Sequence, residues 1–324
     1  MKKSRNLLIF IVIFFVTTIL INPQKYSKSI LDGISLFVYN VLPTLFPLMI
    51  FSKLLEGLNF SNFLAKYTYK PINKIYHTSG YSSYIFVLSL FCGYPLTSKI
   101  LADLYKSNKI NKDEVLAISS FTSNSNPMFI IGTIGAIMLK NTNFALIILI
   151  SHYTSSIING IIYSTFKLKK SNNNFESINN NNKIDLLDIM QNTTNSLLVV
   201  LGYIAIFNLI TDICIDYKII DTLTMPFCSM YEKMHLPNTL PYYNTLSFIE
   251  ITRGIKDLSV SNINPVILLP TICSNISFGG MCINLQCYSF MQNTGIRFSS
   301  FILTKITQAI FAYVICYFVC LIVL

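Results

Sequence analysis

The sequence predicts an all-α polytopic membrane protein: about seven transmembrane helices plus two re-entrant hairpins, arranged as inverted-topology repeats. Three observations carry that reading. Hydrophobic residues make up 52% of the 324-residue chain and charged residues only 12%, with a mean hydropathy of +0.55, whereas a soluble domain carries roughly a quarter charged residues. The apolar residues fall in runs long enough to cross a bilayer, for which a helix needs about 20 residues. These runs recur in the same order on either side of a polar central segment. So few charges cannot coat a water-facing surface, which excludes a cytoplasmic enzyme, a DNA-binding module and a disulfide-stapled secreted domain. The formal net charge of +10 then reads as cytoplasmic loops obeying the positive-inside rule, with no nucleic acid as partner.

Residues 1–31 form an N-terminal anchor and linker. Met1-Lys2-Lys3-Ser4-Arg5 precedes an apolar run over 7–21, and Asn22-Pro23-Gln24 follows where a cleaved signal peptide would show small residues. The basic end places the N-terminus in the cytoplasm. Further spans are expected at 33–55, 115–139, 144–166, 195–215, 265–291 and 299–324. Residues 167–185 hold Lys167, Lys169, Lys170 and Lys183 with a run of asparagines, the composition of a flexible cytoplasmic loop. It divides a first repeat, 32–166, from a second, 186–324.

Two interrupted apolar stretches decide the topology. Residues 81–105 are broken at Gly93-Tyr94-Pro95, and residues 240–259 around Thr252-Arg253-Gly254. Read as hairpins that enter and leave on one side, they place fifteen basic residues inside against five outside. A full crossing by the first would move Lys106, Lys109, Lys112 and the central lysines outside, so the charge rule favours hairpins. Each half then runs span, linker, hairpin, span, span, with opposite starting sides, which is the ground plan of many secondary transporters.

Broken helices survive in lipid only where protein or a wet cavity surrounds them. The third element of each half carries such a break. One contains Ser123-Asn124-Ser125-Asn126-Pro127, the other Ser274-Asn275-Ile276-Ser277-Phe278-Gly279-Gly280. The same residue types also pack ordinary membrane helices, but equivalent placement in both halves favours a binding site. The hairpins add Lys99, Glu250 and Arg253, groups too costly to face lipid. Two readings stand side by side. Glu250 and Arg253 form a structural pair at i,i+3 while Lys99 snorkels to the interface, or Lys99 and Arg253 with nearby helix N-termini build a pocket for an anion. Both tips and both breaks are expected to converge on one mid-membrane cavity.

The eight cysteines include no CxxC pair, and most sit in apolar runs; Cys214 and Cys228 flank an external loop, but no bridge between them is expected. His77, His152 and His235 are scattered, so no metal site and no cofactor is expected.

The runs LFCGYPLTSK, SNSNPMFIIGTIG and SFGGMCINLQCYSF, with E-x-T-x-G at Glu250 to Gly254, resemble the YlbJ/SpoVV family of sporulation integral membrane proteins. Its members carry nucleoside-recognition gate domains related to concentrative nucleoside transporters. The resemblance covers most of the chain from about Leu31. It puts Gly93, Tyr94, Pro95, Lys99, Asn124, Asn126, Glu250, Gly254, Gly279, Gly280 and Gln286 on the family's recurring positions. Leu96-Thr97-Ser98 departs from the smaller residues expected there. Members are required for endospore formation and are implicated in moving dipicolinic acid out of the mother cell across the outer forespore membrane. The expectation is therefore a secondary transporter of a small aromatic dicarboxylate, in contact with membrane lipid. The alternatives are a nucleoside transporter, suited by the asparagine and serine side chains, or a non-transporting sporulation scaffold. HExxH, GxSxG and P-loop motifs are absent, so neither an enzyme nor an ATP-driven pump is expected.

Overall fold

The computed structural model describes residues 2–167 and 185–324, and their regular structure is entirely helical. The central loop expected at 167–185 lies outside the described residues except at its two ends. In the first half, α1 (Lys2–Ile21) and α2 (Pro23–Leu36) meet at a sharp bend of 106°. Pro23 opens α2 because its missing N–H is no loss in a first turn. A π-helical turn, Phe37–Val41, leads into α3 (Leu42–Gly57), followed by α4 (Phe60–Tyr76), α5 (Tyr81–Phe91), α6 (Leu96–Lys106) and α7 (Lys112–Thr122). A π-helical segment, Met128–Met138, and α8 (Thr142–Lys167) complete the half. The second half comprises α9 (Leu186–Asp216), α10 (Ile219–Lys233), α11 (Leu240–Ile249), α12 (Ile251–Ser259), α13 (Pro265–Phe278), α14 (Gly280–Met291) and α15 (Phe298–Val323).

Local chemistry sets the boundaries that matter for the interior. A reciprocal cap starts α7: Asn111 accepts from the Glu114 amide, and Glu114 accepts from the Asn111 amide and from that of Ser79. Asp185 caps α9, and Asn264 caps α13 ahead of Pro265.

Helix α15 shows which solvent the fold is built for. Its buried side carries Thr304, Lys305 and Gln308, while Leu303, Ile306 and Ile310 are exposed. That is the reverse of a water-facing amphipathic helix and suits contact with lipid tails. Among the described residues, four helical runs are long and apolar enough to cross a bilayer: Thr142–Phe166, Leu186–Asp216, Pro265–Thr294, which takes α13 and α14 together, and Phe298–Val323. The bent pair Ile9–Ile21 and Pro23–Val41 makes a fifth if it counts as one span. The seven expected spans thus do not all appear as single long helices. The stretch 33–55 is split between α2, the π turn and α3, and 115–139 between α7 and Met128–Met138. No disulfide joins Cys214 to Cys228; all eight cysteines are free.

Both expected hairpins are pairs of short helices, α5 with α6 and α11 with α12, each of 9 to 11 residues. At 1.5 Å per residue each arm reaches only about 15 Å, half a hydrocarbon core. The second tip lies at Glu250, the one non-helical residue between α11 and α12, two residues before the expected interruption at Thr252–Gly254. Glu250 takes extended backbone because its carboxylate caps α12, accepting from the amides of Thr252 and Arg253 at 3.1 and 2.8 Å.

Helix α9 serves as a ruler for the two hairpins. Lys99, on α6, donates to the Asn192 carbonyl and to Ser196 near the start of α9. Arg253, on α12, pairs with Asp212 near its end at 2.5 Å. Ser196 and Asp212 are separated by roughly 24 Å of helix at 1.5 Å per residue. The two hairpins therefore meet α9 toward opposite ends.

Candidate functional site

The first break is the non-helical chain 123–126. Pro127 cannot donate to the preceding turn, so the carbonyls at the end of α7 need other partners. Almost all come from two neighbouring helices. From α8, Asn159 donates to the Ser120 carbonyl at 2.9 Å, Ser156 to that of Phe121 at 2.7 Å and Tyr153 to that of Ser125 at 2.9 Å. The Ser125 amide donates to His152 Nε2 at 3.1 Å. That leaves the ring proton on Nδ1, which contacts Ser277 Oγ at 2.8 Å. From α15, Lys305 donates to the Ser123 carbonyl at 2.5 Å, and Gln308 Nε2 to Asn124 Oδ1 at 2.9 Å. A buried backbone group left unpaired costs about 1–3 kcal/mol, so this unwound segment is stabilised by design and is no frayed end.

The tip of the first hairpin docks on this break. The Tyr94 amide donates to the Asn124 carbonyl at 2.8 Å. Gly93 has φ +65, and a Cβ there would stand 2.7 Å from the Asn126 nitrogen, so no other residue permits the approach. The second break is the glycine pair Gly279 and Gly280, at φ +87 and +68. The second hairpin docks there: a Cβ on Gly280 would come within 2.9 Å of the Ser247 carbonyl. Hairpin to break is thus the packing rule in each half.

Between the two docked tips lies a cavity of about 320 Å³, near the lower end of ligand pockets, about 300–1,000 Å³. Tyr94 and Pro95 line it from the first tip, Ser125 and Asn126 from the first break, Glu250 and Thr252 from the second tip, and Cys282 and Gln286 from α14. Val200 and Ile204 close it from α9, midway between the contacts of Lys99 and Arg253. Among the described residues that line it, Glu250 carries the one carboxylate and none is basic. A second, wider cavity of about 570 Å³ adjoins it, sharing Leu36, Glu250 and Thr252. Lys25, Lys28, Arg253 and Lys256 face it against Asp32, Asp212 and Glu250. Lys25 pairs with Asp216 and Arg253 with Asp212, whereas Lys28 and Lys256 make no ion pair among the described residues.

The expected site residues divide accordingly. Tyr94, Pro95, Asn126, Glu250 and Gln286 line the inner cavity. Ser123 and Asn124 lie behind its wall, Ser123 held through its carbonyl by Lys305 and Asn124 by Gln308 and Tyr94. Pro127 begins the following π-helical segment. Lys99 and Arg253 are not on the inner cavity. Each reaches back to α9, because a long side chain one turn beyond a tip points away from it. Arg253 pairs with Asp212 and not with Glu250, and it faces the wider cavity, so Lys99 and Arg253 do not share one pocket. From the second break, Ser274 lines neither cavity, Asn275 bonds to Asn244 and Ser277 to His152. Its cavity wall comes from α14 instead. Gly254 is a packing residue whose Cβ would lie 2.3 Å from the Ser247 amide.

Sequence reading missed His152, Asn159, Lys305 and Gln308. A signal existed for Lys305, since an ionisable group inside an otherwise apolar span is a functional candidate by default. Among the described residues no three His, Cys, Asp or Glu side chains gather to hold a metal ion.

Over 335 aligned positions the chain is 24% identical to the sporulation integral membrane protein YlbJ of Bacillus subtilis (strain 168), covering 96% of this chain and 82% of that protein. No family model and no solved structure matches it.

Proposed function

We propose that this chain, which belongs to the YlbJ family of sporulation integral membrane proteins, is a secondary carrier that moves a small aromatic dicarboxylate of the dipicolinate type during spore formation. The observation that carries this reading is the inner cavity, walled by both hairpin tips, the first helix break and the helix that follows the second. Because the hairpins meet α9 toward opposite ends, the halves 32–166 and 186–324 read as inverted repeats around that cavity. Carriers bind solute at such a repeat interface, between broken helices, and expose it alternately to either side.

The wider cavity supports an anionic solute. Its Lys28 and Lys256 make no ion pair among the described residues and offer two cations to a dianion on its way to the inner cavity, set against Asp32 and Glu250 on the same wall. The family resemblance agrees in sign, and on it we read the protein as one of the outer forespore membrane of the mother cell; the basic N-terminal residues favour a cytoplasmic N-terminus. A second reading has its own observation. The inner wall offers amides, hydroxyls and one carboxylate but no basic side chain, which suits an uncharged nucleoside-like solute.

Thermal unfolding of the purified protein with added solute separates the two. Dipicolinate is expected to raise the unfolding temperature, and Lys28→Gln with Lys256→Gln to weaken that effect, while ribonucleosides leave it unchanged. Stabilisation by nucleosides alone favours the second reading.

A further inference from the structure

Lys305 is the most deeply buried cation among the described residues, at 1% exposure. No carboxylate pairs with it among them. Its Nζ donates to the Ser123 carbonyl at 2.5 Å and to Gln308 Oε1 at 2.7 Å. Ser123 is the residue that ends α7, so the ammonium stands at the negative end of that helix. Unwound carbonyls and half-helix C-terminal ends are the groups with which broken-helix carriers hold a coupling cation.

We propose that the Lys305 ammonium is a resident cation at a coupling site in the first break, and that this site exchanges a proton where other carriers take up sodium. The coupling role rests on the carrier reading above; the cation site does not.

The hydrogen-bond inventory suits two protonation states. An ammonium has three N–H donors, and two of them find acceptors among the described residues. Deprotonation breaks one N–H bond, leaves the electron pair on nitrogen and releases the proton to water. The remaining amine still has two N–H groups for Ser123 and Gln308. The charge at the end of α7 changes while the contacts persist. That change is relayed to the cavity wall through one strap. Gln308 bonds Asn124 Oδ1, the Asn124 carbonyl holds the Tyr94 amide, and Tyr94 lines the inner cavity.

Four elements pack on α15: α13, α8, α7 and α14. The ionisable groups they bring to this region are few. From α8 come His152, with both ring nitrogens engaged, Tyr153, bonded to the Ser125 carbonyl, and Tyr163, whose hydroxyl lies 3.4 Å from that of Thr307. From α14 comes Cys287, whose sulfur lies 3.9 Å from Ser123 Oγ. Cys273 of α13 is directed to the Ile148 carbonyl. The acids of α7, Asp113 and Glu114, sit in its first turn, at the far end of the helix. Glu250 lies at the second hairpin tip, on the cavity wall. Lys305 is thus the cation of this region.

Two measurements test the assignment. In proteoliposomes with choline as the bulk cation, a pH gradient should drive wild-type accumulation of labelled dipicolinate, and sodium should add nothing. Lys305→Gln should still exchange labelled for unlabelled solute but lose the gradient-driven accumulation. Sodium-dependent uptake by wild type, or undiminished pH-driven accumulation by Lys305→Gln, overturns the coupling role. Without any transport, unfolding temperatures in sodium chloride and choline chloride report on the site itself. Removing the ammonium should open it to sodium, giving an upward shift in sodium for Lys305→Ala, or for Lys305→Ser should the alanine variant not fold, and none for wild type. A folded variant indifferent to sodium overturns the cation site, whether or not solute moves.

Discussion

Glu250 and Arg253 stand three residues apart on one short helix, yet their side chains meet different partners. The spacing suggests an ion pair, but α12 needs an acceptor at its N-terminus, and Glu250 is placed to supply it. Arg253 is then free to reach Asp212 on α9, a partner that no local spacing reveals. These two residues therefore fail in different ways when removed. Glu250→Ala should cost about 0.5–2 kcal/mol of stability through the lost cap. Arg253→Ala should cost only about 1 kcal/mol or less, since both partners of its ion pair are partly exposed. Adding Asp212→Asn should recover most of that loss, whereas adding Glu250→Gln should not; denaturant unfolding of the four variants checks the pattern. Glycines divide just as sharply. Gly254→Ala drives a Cβ to within 2.3 Å of the Ser247 amide, an overpacking that typically costs about 1–3 kcal/mol, and should leave the second hairpin unable to close. Gly132 also borders the inner cavity, but a Cβ there meets nothing within 4 Å. Gly132→Leu should therefore keep the fold, fill the cavity and abolish stabilisation by solute.

Helix breaks were legible in the sequence because polar residues with proline or paired glycine interrupt apolar runs, and both breaks fall inside the stretches expected. Their partners were not legible. Tyr153, Ser156 and Asn159 lie three residues apart and so share one face of α8, but nothing in α8 says that this face meets α7. Likewise the second break was visible as Ser274 to Gly280, yet its glycines serve packing and the cavity wall comes from Cys282 and Gln286 on the next helix. The interruptions of the hairpins were legible at Gly93-Tyr94-Pro95 and near Thr252-Arg253-Gly254, and each is matched by a pair of short helices. The opposed contacts of Lys99 and Arg253 on α9 predict that the two hairpins open to opposite faces of the membrane. Single cysteines at Asn108, beyond α6, and at Val260, beyond α12, both exposed, should label from opposite sides in a variant lacking the native cysteines. Labelling of both from one side would contradict the opposed arrangement.

Composition alone placed the whole molecule in a membrane, and the inside-out face of α15 agrees with it. Charge was harder to place. Counting Lys99 and Arg253 toward the central cavity gave it a positive sign, whereas both are held at α9, and the outer vestibule sets its four basic side chains against Asp32, Asp212 and Glu250. An anion would thus be drawn in by lysines yet held by amides, hydroxyls and helix ends around a single carboxylate. That arrangement suits a carrier, which must release its solute on the far side, better than a tight binder. Uptake by proteoliposomes tests this account most directly. Labelled dipicolinate, uridine and adenosine would be offered to vesicles containing wild-type protein, Gly132→Leu, or no protein. The account predicts saturable dipicolinate uptake by wild type, none by Gly132→Leu, and no nucleoside uptake above protein-free vesicles. Dipicolinate flux no greater than in protein-free vesicles, under every ion and pH gradient applied, would contradict it.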